Sequence, residues 1–121
     1  MTTGRVENRH ALLSVAFALQ GRPSVSIEFV VDTGFTDALC LPAPAVVALG
    51  LPFQFDFPAS LADGSQVLLP VHEATILWND SEQKVHVLAT GNRPLIGTAL
   101  LDGAELVIQF AEGGLVTVEP L

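Results

Sequence analysis

Apolar and polar residues alternate at short range through most of the chain, the spacing that sends successive side chains of an extended strand to opposite faces. Ala11 to Leu19 is a short apolar run, and Ser24 to Val31 sets Val25, Ile27 and Phe29 on one side against Ser24, Ser26 and Glu28 on the other. Between them Gln20, Gly21, Arg22 and Pro23 supply a reversal, so residues 11–31 are expected to form a hairpin. A second hairpin is expected around Asp63 and Gly64, because an Asp-Gly pair suits a turn whose central residues take positive φ. The arm from His72 to Trp78 alternates Ala74, Ile76 and Trp78 with Glu73, Thr75 and Leu77. After Asn79, Asp80 and Ser81 the chain returns through Lys84 to Leu88. Residues 106–110 and 115–120 make a last pair across Ala111 to Gly114. At least seven short strands are predicted, with Phe53 to Phe57 as a brief edge strand or loop limited by Pro58. Helical pattern is confined to Ala43 to Leu49, stopped by Gly50 and Pro52, and to a turn at 99–102. The fold class is all-β, with no room for strand–helix–strand units.

Length and composition narrow this further. The chain has 121 residues, of which 50% are hydrophobic and 15% charged. That is enough for one core, so residues 1–121 are expected to be a single domain, and disorder is excluded. The formal net charge is −8, the wrong sign for a phosphate backbone or an anionic membrane, so neither nucleic acid nor membrane is an expected partner. The acidity is uneven: residues 1–30 hold three Arg against two Glu, while residues 31–121 hold two basic against eleven acidic groups. A lone cysteine, Cys40, permits neither an internal disulfide nor a zinc site, which fits a cytoplasmic protein. It lies between Leu39 and Leu41 and reads as a small buried side chain. His10, His72 and His86 are scattered and read as ordinary histidines, Trp78 reads as a core aromatic, and no metal or cofactor is expected.

One local feature carries chemistry. The apolar run Ile27, Phe29, Val30, Val31 leads directly into Asp32, Thr33 and Gly34, placing a carboxylate at the end of a buried strand on a turn where glycine admits close backbone approach. Alone it is equally an ordinary turn, with Asp32 accepting bonds from nearby N–H groups. A second feature is Pro94, Leu95, Ile96, Gly97, Thr98, where aliphatics run into a glycine before Ala99, Leu100 and Leu101.

Taken in order, FVVDTGFTDALCLP from Phe29 to Pro42, the Asp-Gly hairpin and Leu95-Ile96-Gly97 resemble the retropepsin-like aspartic proteases, along the length of the chain. The resemblance implies a closed β-barrel lobe with a flap hairpin and one short helix. It implies Asp32 as the catalytic residue, supported by Thr33, Gly34 and Gly97. Substrate contacts would come from Phe35, from Leu61, Asp63, Gly64, Ser65 and Val67 of the flap, and from Ile96. Phe35 stands where the family has Ala or Ser and would crowd the cleft, Asp37 adds an acidic group nearby, and Thr98 stands where viral members often carry Arg. The tail from Ala104 to Leu121 holds an extra pair of strands, which implies a mode of subunit interlock different from the viral one.

Within this resemblance one Asp32 supplies half of a two-carboxylate site, so an active aspartic endopeptidase would be a C2 homodimer acting on a peptide or protein substrate below neutral pH. Two other readings stay open: a retropepsin-like homodimer of weak or lost activity that binds peptides or partners, and a monomeric β protein in which Asp32 merely caps a turn.

Overall fold

The computed structural model describes residues 1–121. Its elements are β1 (Thr2–Glu7), β2 (His10–Ala18), β3 (Val25–Val31), β4 (Leu39–Leu41), α1 (Ala43–Leu49), β5 (Phe53–Ser60), β6 (Gln66–Trp78), β7 (Ser81–Ala89), β8 (Leu95–Ile96), α2 (Thr98–Leu101), β9 (Ala104–Ile108) and β10 (Leu115–Pro120). The predicted hairpins are present: β2 pairs with β3, β5 with β6, β6 with β7, and β9 with β10, all antiparallel.

The expected closed barrel is not what forms. The ten strands make one mixed sheet in the order β5-β6-β7-β4-β8-β3-β2-β1-β10-β9, which leaves β5 and β9 each with an unpaired edge. A further antiparallel contact of Ala16, Phe17 and Ala18 with Leu77, Ile76 and Thr75 folds the middle of the sheet over its core. The strands beyond that contact keep the ends open. At one end β5 runs out as a hairpin with a register shift between Phe53 and Phe55; at the other, β1, β10 and β9 extend past β2. Two short helices form rather than one, because α2 completes a single turn after Gly97. The polar start also folds: β1 fits between β2 and β10, burying only Val6.

The core follows from the alternation. In β2 the buried positions are Ala11, Leu13, Val15 and Phe17, and Phe17 stacks on Phe29 of β3 with ring centroids 6.0 Å apart. Fully burying such a phenylalanine contributes about 2–3 kcal/mol. In β6 Ala74, Ile76 and Trp78 face the same core, with Val87 of β7. No polar side chain is buried. Helix α1 starts with Pro44 in its first turn and stops at Gly50, whose φ of 66° lets its N–H reach the carbonyls of Val46 and Val47. It buries Val46 and Leu49 and leaves Val47 exposed. No helix is long and apolar enough to cross a membrane.

Three strands position the site. The short β8 lies between β3 and β4, parallel to β3 through Val30–Leu95 and Val31–Ile96 and antiparallel to β4 through Leu39–Ile96 and Cys40–Leu95. Strand β4 in turn runs parallel to β7. The ends of β3 and β8 therefore emerge side by side, one carrying Asp32 and the other Gly97.

Candidate active site

Strand β3 delivers Asp32 to the surface while its backbone stays tied to the sheet: its N–H donates to the Ile96 carbonyl at 2.9 Å. The chain then turns back on itself. The Phe35 N–H donates to the Asp32 carbonyl at 3.1 Å, and the Gly34 N–H donates to the carboxylate oxygen Oδ1 at 2.9 Å. The second bond orients the carboxylate and leaves its other oxygen free of protein partners. Asp32 is half-buried, and Thr33 and Gly34 are exposed. A Cβ at position 34 would lie 3.2 Å from Oδ1, a tight contact that the Asp32 carboxylate would have to ease by a few tenths of an ångström.

Gly97 holds the other side of the loop. Its N–H donates to the Ala38 carbonyl at 2.9 Å, and the next N–H, of Thr98, donates to the Phe35 carbonyl at 2.8 Å. A Cβ on Gly97 would lie 2.0 Å from the Asp37 carbonyl oxygen and 2.6 Å from both the Phe35 ring and the Phe35 carbonyl oxygen. Its φ of −103° suits any residue. Space, not torsion, demands glycine, because the loop from Phe35 to Ala38 wraps directly over it. Asp32, Thr33, Gly34, Phe35, Ile96 and Gly97 are thus brought together. Ile96 is fully buried and packs in the core.

The remaining predicted residues lie apart, on the hairpin of β5 and β6. Its tip closes when the Leu61 N–H donates to the Ser65 carbonyl at 2.8 Å and the Gly64 N–H to the Leu61 carbonyl at 3.0 Å, with Gly64 at φ 85°. The Asp63 carboxylate accepts from the Ser65 hydroxyl at 2.6 Å and the Ser65 N–H at 2.9 Å. These bonds, the hydroxyl first, hold the Asp63 carboxyl below the usual carboxylate range. Leu61, Asp63, Gly64 and Ser65 are exposed and Val67 is half-buried. No hydrogen bond joins this hairpin to the Asp32 loop.

Nothing in the sequence pointed to the groups that brace the hairpin. His72 meets Phe53 edge-on with centroids 5.6 Å apart, and His86 meets Phe55 at 5.4 Å. His72 Nδ1 also lies 2.8 Å from the Leu51 carbonyl oxygen. These contacts leave no local pattern, since each depends on how β5 registers against β6 and β7. The carbonyls of Phe35, Asp37 and Ala38 that enclose Gly97 were equally invisible. Cys40 is buried as expected; desolvation pushes its thiol up, while its Sγ donates to the Thr90 carbonyl.

Asp32 lines none of the three clefts of this chain. The largest, about 590 Å³, lies between Val6, Asn8 and Arg9 on one side and Phe110 to Glu112 on the other. No group of three or more His, Cys, Asp or Glu side chains is placed to hold a metal ion. The arrangement in one chain is a single oriented carboxylate on a tightly packed loop, open to whatever is brought against it.

No protein-family model matches the sequence, and no curated protein sequence matches it. The fold does have a counterpart: the crystal structure of a retropepsin-like aspartic protease from Rickettsia conorii is similar to it with a TM-score of 0.56 at 19% identity, over 100% of this chain and 96% of that one.

Proposed function

We propose that the protein is an aspartic endopeptidase that works as a homodimer, with one active site made from the Asp32 of each chain. The observation that carries this reading is the Asp32 loop: a carboxylate at the end of β3, oriented by the Gly34 N–H and locked against Gly97, in a fold similar to that of a retropepsin-like aspartic protease.

The chemistry requires the pair. Two carboxylates about 3 Å apart cannot both ionise, so they share one proton and offer a base and an acid together. Water held between them loses a proton to the ionised carboxylate as its oxygen attacks the scissile carbonyl carbon, and the protonated carboxyl donates to the carbonyl oxygen. The gem-diol then collapses: a proton passes to the amide nitrogen, the C–N bond breaks, and an acid and an amine leave. No covalent intermediate forms. The shared proton belongs to the pair, so activity is described by two apparent pKa values and is highest below neutral pH.

The hairpin of β5 and β6 serves as the flap, gripping an extended peptide through main-chain bonds at Leu61 to Ser65 and excluding water on closure. Phe35, beside the carboxylate, narrows the space for the side chains that flank the scissile bond. In a purified sample Asp32→Asn removes the acid–base pair and lowers peptide cleavage at least about a thousandfold, within the range of general acid–base catalysis, while leaving the circular dichroism spectrum unchanged. Undiminished cleavage by the folded variant would overturn the assignment.

A further inference from the structure

We infer that Arg93, seated on His10, is a specificity residue that draws an acidic side chain of the peptide substrate to the Asp32 loop; this rests on the endopeptidase reading above. Arg93 lies in the loop before β8, and His10 opens β2. These two strands flank β3, one on each side. Yet Arg93 Nη1 lies 3.2 Å from His10 Nε2, so the two side chains reach each other across the strand that carries Asp32. The span is two strand spacings, about 10 Å, which an extended arginine and a histidine cover together.

The contact has only one face to cross. Phe29, on the core side of β3, is fully buried, whereas Arg93 is exposed and His10 half-buried. The side chains therefore meet over the opposite face, above Val30, whose neighbours there are Leu12 and Leu95. By alternation Asp32 shares that face with Val30, and continuing the Leu12–Val30 register by two residues sets His10 level with Asp32. A peptide held against Asp32 thus passes the Arg93 guanidinium.

That guanidinium is uncommitted. Arginine only donates, so His10 Nε2 accepts one N–H and the rest of the donor fork is free. The ion pairs of the chain are Met1 with Asp80 and Arg5 with Glu7 and Glu28; none includes Arg93. Residues 31–121 hold two basic groups, Lys84 and Arg93, against eleven acidic ones, so the lack of a partner is not for want of carboxylates. The charged groups facing His10 are Arg93, Asp32 and, across on β1, Glu7 with the Arg5 that holds it at 2.8 Å. When an imidazole takes up a proton, ordinarily between about pH 5 and 8, two cations face each other here. A substrate carboxylate between them relieves that repulsion and accepts from both, in the acidic range where the paired Asp32 groups share a proton.

The test uses three sets of extended apolar peptides that differ only in a central Glu, Gln or Lys, at about pH 5.5, where glutamate is ionised. Cleavage is measured with the native chain, Arg93→Gln, Arg93→Glu and His10→Ala, and binding with Asp32→Asn and the double variant Asp32→Asn/Arg93→Glu. Arg93 is exposed, so its variants keep the fold, which circular dichroism checks. The native chain should favour Glu over Lys at least about tenfold in kcat/KM, the worth of a hydrogen bond to a charged group. Arg93→Gln should erase the preference, Arg93→Glu should reverse it, and His10→Ala should weaken it mainly through KM. Equal cleavage of the three sets by the native chain, or a preference that survives Arg93→Glu, would overturn the Arg93 assignment and leave the two-Asp32 reading standing. If no set is cleaved, the endopeptidase reading falls; Glu-selective binding that the double variant loses would still support the Arg93 site, and indifferent binding would overturn it too.

Discussion

The Asp32 loop and the tip of the β5–β6 hairpin each turn on a glycine, and the two glycines are required for opposite reasons. At Gly97 the backbone angles are ordinary and there is no room: a Cβ would lie well inside van der Waals contact with two carbonyl oxygens and a phenyl ring. At Gly64 there is ample room, with no atom within 4 Å of where a Cβ would stand, but φ is 85°. Crowding marks a loop fixed by its surroundings, which suits the proposed pairing of its carboxylate with a second one. A turn kept only by its own torsion and local bonds suits the lid role proposed for this hairpin.

This contrast can be broken by measurement, and the largest effect is at Gly97. Gly97→Ala should destabilise the fold by about 3 kcal/mol or more, because the clash is with backbone that cannot swing aside. Gly64→Ala should cost about 1 kcal/mol, the ordinary penalty of positive φ for an L residue. Denaturant unfolding of both variants checks the difference, and equal losses would dissolve the distinction.

The next effect is on specificity. Phe35 packs its ring beside Gly97, so Phe35→Ala opens space next to the carboxylate without touching the β5–β6 hairpin. Peptides with bulky residues at the scissile bond should gain about tenfold in kcat/KM, the scale on which pocket volume discriminates apolar side chains. Unchanged preference across a peptide library would place the Phe35 ring outside the substrate path.

The smallest effect lies at the tip of the β5–β6 hairpin. Asp63 is fully exposed and its carboxyl is held low by Ser65. A folded value below the unfolded one stabilises the turn above the ordinary carboxylate range, and that contribution is lost as pH falls through the lowered value. The Ser65 amide should therefore be protected relative to a free amide at about pH 6 and lose that protection as pH falls through the lowered Asp63 value. In Asp63→Ala it should exchange fast throughout, with the global unfolding midpoint unchanged.

Much of the β5–β6 hairpin was legible because its determinants are local. Asp63-Gly64 sets the turn, and alternation sets its arms. Asp32 was legible as a motif, but the cage around it was not. It depends on β3 lying parallel to β8, with Asp32 bonded to Ile96 far along the chain, and such a pairing leaves no local pattern. Strand β1 was missed since only Val6 is buried, so its sequence Thr-Thr-Gly-Arg-Val-Glu has no periodicity to read. The closed barrel was expected from family resemblance; the free edges of β5 and β9 contradict it, and edges are set by which strands find no neighbour. Pro58, read as a limit on β5, sits within that strand because an edge tolerates a missing N–H.

The central claim is that one site takes one Asp32 from each of two chains. Mixing native protein with increasing proportions of Asp32→Asn chains, under conditions where subunits exchange, and measuring peptide cleavage per total chain tests it directly. Paired carboxylates predict activity that falls as the square of the native fraction, to about a quarter in an equal mixture, since every mixed dimer lacks one carboxylate. A straight-line fall, to about half, would mean that each chain acts alone and would contradict the two-carboxylate site.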